Sequence, residues 1–115
     1  MNKGSLKTKS YAFAIRIVKL AQYLQTEKKE YTLSKQVLRS GTAIGALYRE
    51  AEFGQCKADF VSKMSIALKE ANETDYWIHL LKDTDYLEQI IFDSLISDCK
   101  ELIAMLVSSI KTTKK

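Results

Sequence analysis

The residues able to do acid–base, nucleophilic or metal chemistry are few, and their spacing is unhelpful to all three. His79 is the sole histidine of the chain, so any Ser-His-Asp or Cys-His system has one candidate base. It lies inside a helical run, without the sharp turn that exposes a nucleophile. A di-iron bundle needs Glu-x-x-His on two helices, and Tyr76 stands three residues before His79. Asp75 and His79, four apart, make an ordinary helix-surface pair. Cys56 and Cys99 have neither CxxC nor zinc-ligand spacing. In a chain with no secretory leader they read as reduced, core or near-core thiols. Asp83, Asp85 and Glu88 fit helix-end capping better than a metal loop. The expectation is a protein that is not an enzyme and has no cofactor and no metal.

Cations are the stronger lead. Residues 1–57 hold eleven Lys/Arg against four acids, and residues 58–115 hold seven against ten. A chain polarised in this way can offer a basic face to nucleic acid, or dock its basic half on a neighbour's acidic half. The candidate phosphate contacts are Lys7, Lys9, Arg16, Lys19, Lys35, Arg39, Arg49 and Lys57, with Lys3, Lys28 and Lys29 nearby. Tyr11 and Tyr48 are available to stack on unpaired bases.

These side chains must be held by helices. The 115 residues contain four glycines and no proline, too few turn formers for a sandwich or barrel, and the length suits one domain. Apolar residues recur at alternating three and four over four stretches, about 8–26, 33–53, 57–83 and 86–111. The predicted core positions are Phe13, Ile17, Leu20 and Leu24; Leu33, Val37, Ser40, Ile44, Leu47 and Ala51; Phe60, Met64, Ala67, Ala71, Thr74, Ile78 and Leu81; and Ile91, Leu95, Cys99, Leu102 and Leu106. A basic arm, 1–7, precedes the first helix and a fraying tail, 112–115, follows the last. Thr32 is placed to cap the second helix, Gly54 to end it, and Asp85 with Glu88 to form a capping box opening the fourth. Connections this short force antiparallel neighbours, so the predicted fold is an all-α, up-down-up-down four-helix bundle spanning 1–115. Gly41 and Gly45, one turn apart inside a helix, point to close packing by another helix. No stretch is apolar enough for a membrane span or secretory leader, and a cytoplasmic location with no membrane partner is expected.

Two helices carry more apolar surface than one core uses. The second has Leu38, Arg39, Ala46, Arg49 and Phe53 opposite its core stripe, and the third has Ile66, Glu70, Glu73, Trp77 and Leu80. A solvent face should be polar nearly throughout. One stripe bears arginine and the other glutamate, so they are predicted to meet across a subunit boundary, with Arg39 or Arg49 on Glu70 or Glu73 of a neighbour in a homo-oligomer.

The string Gln36-Val37-Leu38-Arg39-Ser40-Gly41-Thr42-Ala43-Ile44-Gly45-Ala46-Leu47-Tyr48-Arg49-Glu50-Ala51 resembles the second-helix signature of the bacterial four helix bundle protein family. That family includes proteins encoded in intervening sequences of 23S ribosomal RNA genes and the accessory variability proteins of diversity-generating retroelements. Asp59-Phe60, Ile66-Ala67-Leu68-Lys69-Glu70-Ala71, Glu73 and Tyr76-Trp77 resemble its third-helix pattern. Arg39, Ser40, Ile44, Glu50, Phe60, Ala67 and Glu70 match it, whereas Leu47 stands where the family commonly has Asn. The resemblance implies a left-handed bundle and a homopentameric ring, and it does not imply catalysis. For the retroelement relatives it implies binding to nucleic acid and to a reverse transcriptase. The combined expectation is a non-enzymatic pentamer that binds nucleic acid, structured RNA above all; the alternative is a protein-binding scaffold ring with no nucleic-acid role.

Overall fold

Ser5 starts the first helix: its Oγ accepts the Thr8 N–H at 3.1 Å, satisfying one of the free donors of the first turn. In this computed structural model, which describes residues 4–115, four helices follow: α1 Leu6–Thr26, α2 Leu33–Glu52, α3 Lys57–Asp83 and α4 Gln89–Lys114. Each packs on the next, and α4 closes back on α1 along the sparsest of the four seams. The result is an antiparallel four-helix bundle about 45 Å long. Lys3 and the rest of 1–3 in the expected arm lie outside the described residues, and only Gly4 and Ser5 of the remainder precede α1, whose first residues are Leu6 and Lys7. The expected tail is a further turn of α4, which runs on to Lys114.

The three-four pattern marks the core well. Phe13, Ile17, Leu24, Val37, Ile44, Met64, Ile78, Leu81, Leu102 and Leu106 are fully enclosed. Leu33, Leu47 and Phe60 pack on the core only from its margin. Ile91 is the clear exception at 45% exposed; Leu87, in the connection before α4, is buried instead. Two hydroxyls sit inside: Thr74 Oγ1 donates to Ser40 Oγ at 2.9 Å and also lies 2.8 Å from the Glu70 carbonyl. Among the described residues, no buried side-chain nitrogen or oxygen lacks a partner.

The glycines of α2 are there for α1. A Cβ on Gly41 would stand 2.8 Å from two carbons of Ile17, and one on Gly45 would stand 3.2 Å from Ser10 Oγ. Gly54 does follow α2, but its backbone is not left-handed; a Cβ there would press on Asp59 Cβ at 3.1 Å and the Ala51 carbonyl at 3.2 Å.

Two caps differ from expectation. Thr32 occupies the N-cap of α2 without using its side chain; the Glu30 carboxylate takes the N–H groups of Thr32, Leu33 and Ser34 instead. Asp85 closes α3 rather than opening α4. It adopts a left-handed conformation, φ 69°, while the Tyr86 N–H returns to the Leu81 carbonyl and the Asp85 N–H to that of Lys82, the paired bonds of a Schellman ending. Committed there, Asp85 forms no capping box, and α4 starts at Gln89 behind an extended Glu88.

Candidate nucleic-acid interface

Half of the expected phosphate contacts are already bound to carboxylates of the same chain. Lys7 lies 3.7 Å from Glu52, Lys9 3.0 Å from Glu101, and Arg16 2.7 Å from Asp98. Arg39 grips both Glu70, at 3.1 Å, and Glu73. Each glutamate raises the hold on the Arg39 proton, Glu73 most strongly.

Lys19, Lys35, Arg49 and Lys57 have no carboxylate partner, and they do not share one face. Arg49 lies over the Tyr11 ring, 5.4 Å from its centre, and Lys57 opens α3 at the same end of the bundle. Lys19 and Lys35 belong to the other end, where the turn between α1 and α2 adds Lys28 and Lys29. Lys28 stands 6.0 Å from the centre of the Tyr23 ring, and both Tyr23 and Tyr31 are exposed there. The same end also carries acids, Glu27 in the turn and Asp83, Asp85 and Glu88 where α3 gives way to α4, none of them paired with these lysines. Burial raises the Glu30 carboxyl, but the N–H donors of Leu33, Ser34 and Thr32 outweigh it and hold the group below its ordinary range; its charge faces the start of α2. Lys19 and Tyr23, with Tyr86, Leu87 and Ile91, also line an open groove of about 500 Å³ between α1 and α4. This end therefore combines four unpaired lysines with two exposed rings.

The expected subunit contact is an internal one. Arg39 reaches Glu70 and Glu73 on its own α3, not on a neighbour, because α2 and α3 are adjacent helices whose outer stripes lie side by side. Trp77 joins the same cluster, donating from Nε1 to Glu73 at 2.9 Å. That bond, followed by Arg39, holds the Glu73 carboxyl below its ordinary range. Leu38 and Trp77 pack against the core margin and Leu80 is half-buried, while Ala46, Arg49 and Ile66 are open and Phe53 is 84% exposed.

A third stripe escaped the sequence reading. Tyr11, Ile15 and Val18 are 57, 44 and 39% exposed on the outer side of α1. The signal was present: they follow one another at four and three, out of phase with Phe13, Ile17, Leu20 and Leu24.

The side chains that drew attention as chemistry are engaged in structure. Asp75 Oδ1 lies 2.9 Å from His79 Nδ1 and its Oδ2 lies 3.5 Å from Lys100 Nζ. His79 meets Phe92 edge-on. Burial pushes the Cys99 thiol up to about 12, and its Sγ donates to the Ala71 carbonyl at 3.4 Å, which makes it inert. Cys56, expected at or near the core, is instead exposed, because it stands at the N-cap of α3, outside the apolar stripe, and its side chain makes no cap hydrogen bond. Among the described residues no cluster of three His, Cys, Asp or Glu is arranged to hold a metal ion, and no helix is long and apolar enough to cross a membrane.

Residues 4–108 match the sequence profile of a family described as 23S rRNA-intervening sequence protein. A solved structure from Bacteroides thetaiotaomicron, a protein of unknown function from the S23 ribosomal protein family, is 52% identical. The match covers 92% of this chain and 95% of that one, with a TM-score of 0.91. No curated protein matches the chain. With the profile matched over nearly its whole length, this chain belongs to the 23S rRNA-intervening sequence protein family.

Proposed function

We propose that this protein is a non-enzymatic, self-assembling RNA-binding bundle, a cytoplasmic pentamer that holds structured RNA at the end formed by the turn between α1 and α2. The observation that carries the reading is the set Lys19, Lys28, Lys29 and Lys35, all without carboxylate partners, beside exposed Tyr23 and Tyr31. Ammonium groups neutralise phosphates, and the rings stack on unpaired bases. One such patch is modest. Five copies in a ring multiply it, since each further contact becomes intramolecular once the first has formed.

The test is RNA binding by fluorescence anisotropy across a salt series, with assembly followed by light scattering. Charge reversal of the four lysines to Glu is expected to weaken binding by about 100-fold or more at low salt. Reversal of Lys57, at the opposite end and likewise without a carboxylate partner, is expected to change it only a few-fold. Wild-type protein that fails to bind RNA at any salt overturns the reading, and a discrete ring indifferent to RNA favours the protein-binding scaffold.

A further inference from the structure

The groove between α1 and α4 is apolar where it is deep and charged where it meets solvent. Leu20, Leu87 and Leu95 are buried and form its floor, while Tyr23 and Ile91 stand open at its sides. Ile91 keeps the core spacing of α4 yet stays exposed, because the sparse seam between α1 and α4 leaves it facing this groove. Two unpaired charges flank the apolar surface. The Lys19 ammonium has no carboxylate partner. The Glu88 carboxylate, at the N-cap of α4, makes no cap bond and no ion pair among the described residues. Arg16, which also lines the groove, is held by Asp98 at 2.7 Å and donates to the Ser94 carbonyl at 3.4 Å. That contact fixes the level of one helix against the other. Three residues along α1 and ten along α4 then leave Lys19 and Glu88 about 10 Å apart along the bundle.

Beside four lysines that gather phosphates, a free carboxylate repels the nucleic acid unless the nucleic acid offers it donors. Resting on the RNA-binding reading, we infer that this groove takes one unpaired guanine of the bound RNA, with Glu88 accepting from its base edge and Lys19 holding a neighbouring phosphate. The apolar floor and Tyr23 suit a flat, unstacked base, and unpaired edges are what proteins read in RNA. The choice among bases follows from Glu88. Guanine presents two adjacent donors, N1–H and the N2 amino group, which match the two oxygens of a carboxylate in parallel bonds. Adenine and cytosine each present one amino donor beside a ring acceptor, and uracil one imino donor between two carbonyls. Each of these sets a lone pair against Glu88. The groove volume of about 500 Å³ lies among the roughly 300–1,000 Å³ of clefts that hold small ligands.

The test uses RNA hairpins that differ in one unpaired loop nucleotide, with binding by fluorescence anisotropy and circular dichroism to check the fold. The guanine hairpin is expected to bind wild-type protein about tenfold more tightly than the other three. Inosine, which lacks the N2 amino group, is expected to lose most of that advantage. Glu88→Gln is expected to bring all four hairpins within about twofold of one another, chiefly by weakening the guanine one. Ile91→Trp, which fills the groove without changing charge, is expected to remove the preference and leave the salt dependence unchanged. Equal binding of the four hairpins by wild type, or a preference that Glu88→Gln or Ile91→Trp leaves intact, overturns the inference while RNA binding by the four lysines stands. Free GMP that binds more tightly than the guanine hairpin also overturns it, since the occupant is then a soluble nucleotide. Wild-type protein that binds no hairpin at any salt overturns both readings.

Discussion

The Glu30 carboxylate holds three backbone donors that the start of α2 would otherwise leave to water, with Ser34 N at 2.7 Å the shortest of them. Because the folded protein keeps this group below its ordinary value of 4.5, its contribution is fully present above that value and is lost as pH falls through the lower, folded one. Glu30→Gln is expected to cost about 1 kcal/mol at neutral pH. Urea unfolding across pH should show the gap between variant and wild type closing under acid conditions. Gly41 makes the opposite kind of demand, for the absence of an atom. Placing a methyl 2.8 Å from Ile17 is expected to make Gly41→Ala about 1–3 kcal/mol less stable. Ile17→Ala opens the same space, so the double variant should lose less than the sum of the singles in a thermodynamic cycle.

Between helices, exposed ion pairs set position more than stability. Arg39 is half open to water, so its pairing with Glu73 is expected to show a coupling below about 1 kcal/mol that fades with salt. Trp77 is the sole tryptophan and donates directly to Glu73, so Glu73→Gln should shift its emission with little change in unfolding midpoint. The seam between α1 and α4 is the sparsest of the bundle, and amide exchange is expected to be fastest on its two flanks. Most of this scale was legible in the chain. The bounds of α3 agree with its apolar spacing because Gly54 before it and Asp83-Thr84-Asp85 after it interrupt that spacing. The start of α4 did not agree, since Asp85 serves equally well as a cap or a left-handed terminator, and only the return of Tyr86 to Leu81 decides. Partners of the cations were out of reach for a plainer reason. Asp98 stands 82 residues from Arg16, and a pairing at that separation depends on helix rotation and level rather than on any local pattern.

The whole molecule thus divides its cations into two populations, and a salt titration of RNA binding separates them. Lys9, Arg16 and Arg39 are spent on α4 and α3; releasing one to a phosphate would strand its carboxylate beside the RNA, so little is gained. Lys19, Lys28, Lys29 and Lys35 have no such cost. Each phosphate neutralised by a free lysine displaces condensed counterions, and the logarithm of the binding constant falls with that of salt by about 0.7–0.9 per contact. Removing any one of the four lysines is expected to reduce the slope by about one for each chain engaged. Arg16→Gln is expected to leave the slope nearly unchanged while loosening α1 from α4, seen as faster amide exchange along that seam. Equal slopes for the Lys28 and Arg16 variants would mean that RNA pulls the internal pairs apart, and that the basic half of the chain acts as one surface. A reduced slope for Lys28 alone would confine the interface to the α1–α2 end and leave the α1–α4 ion pairs to their structural task.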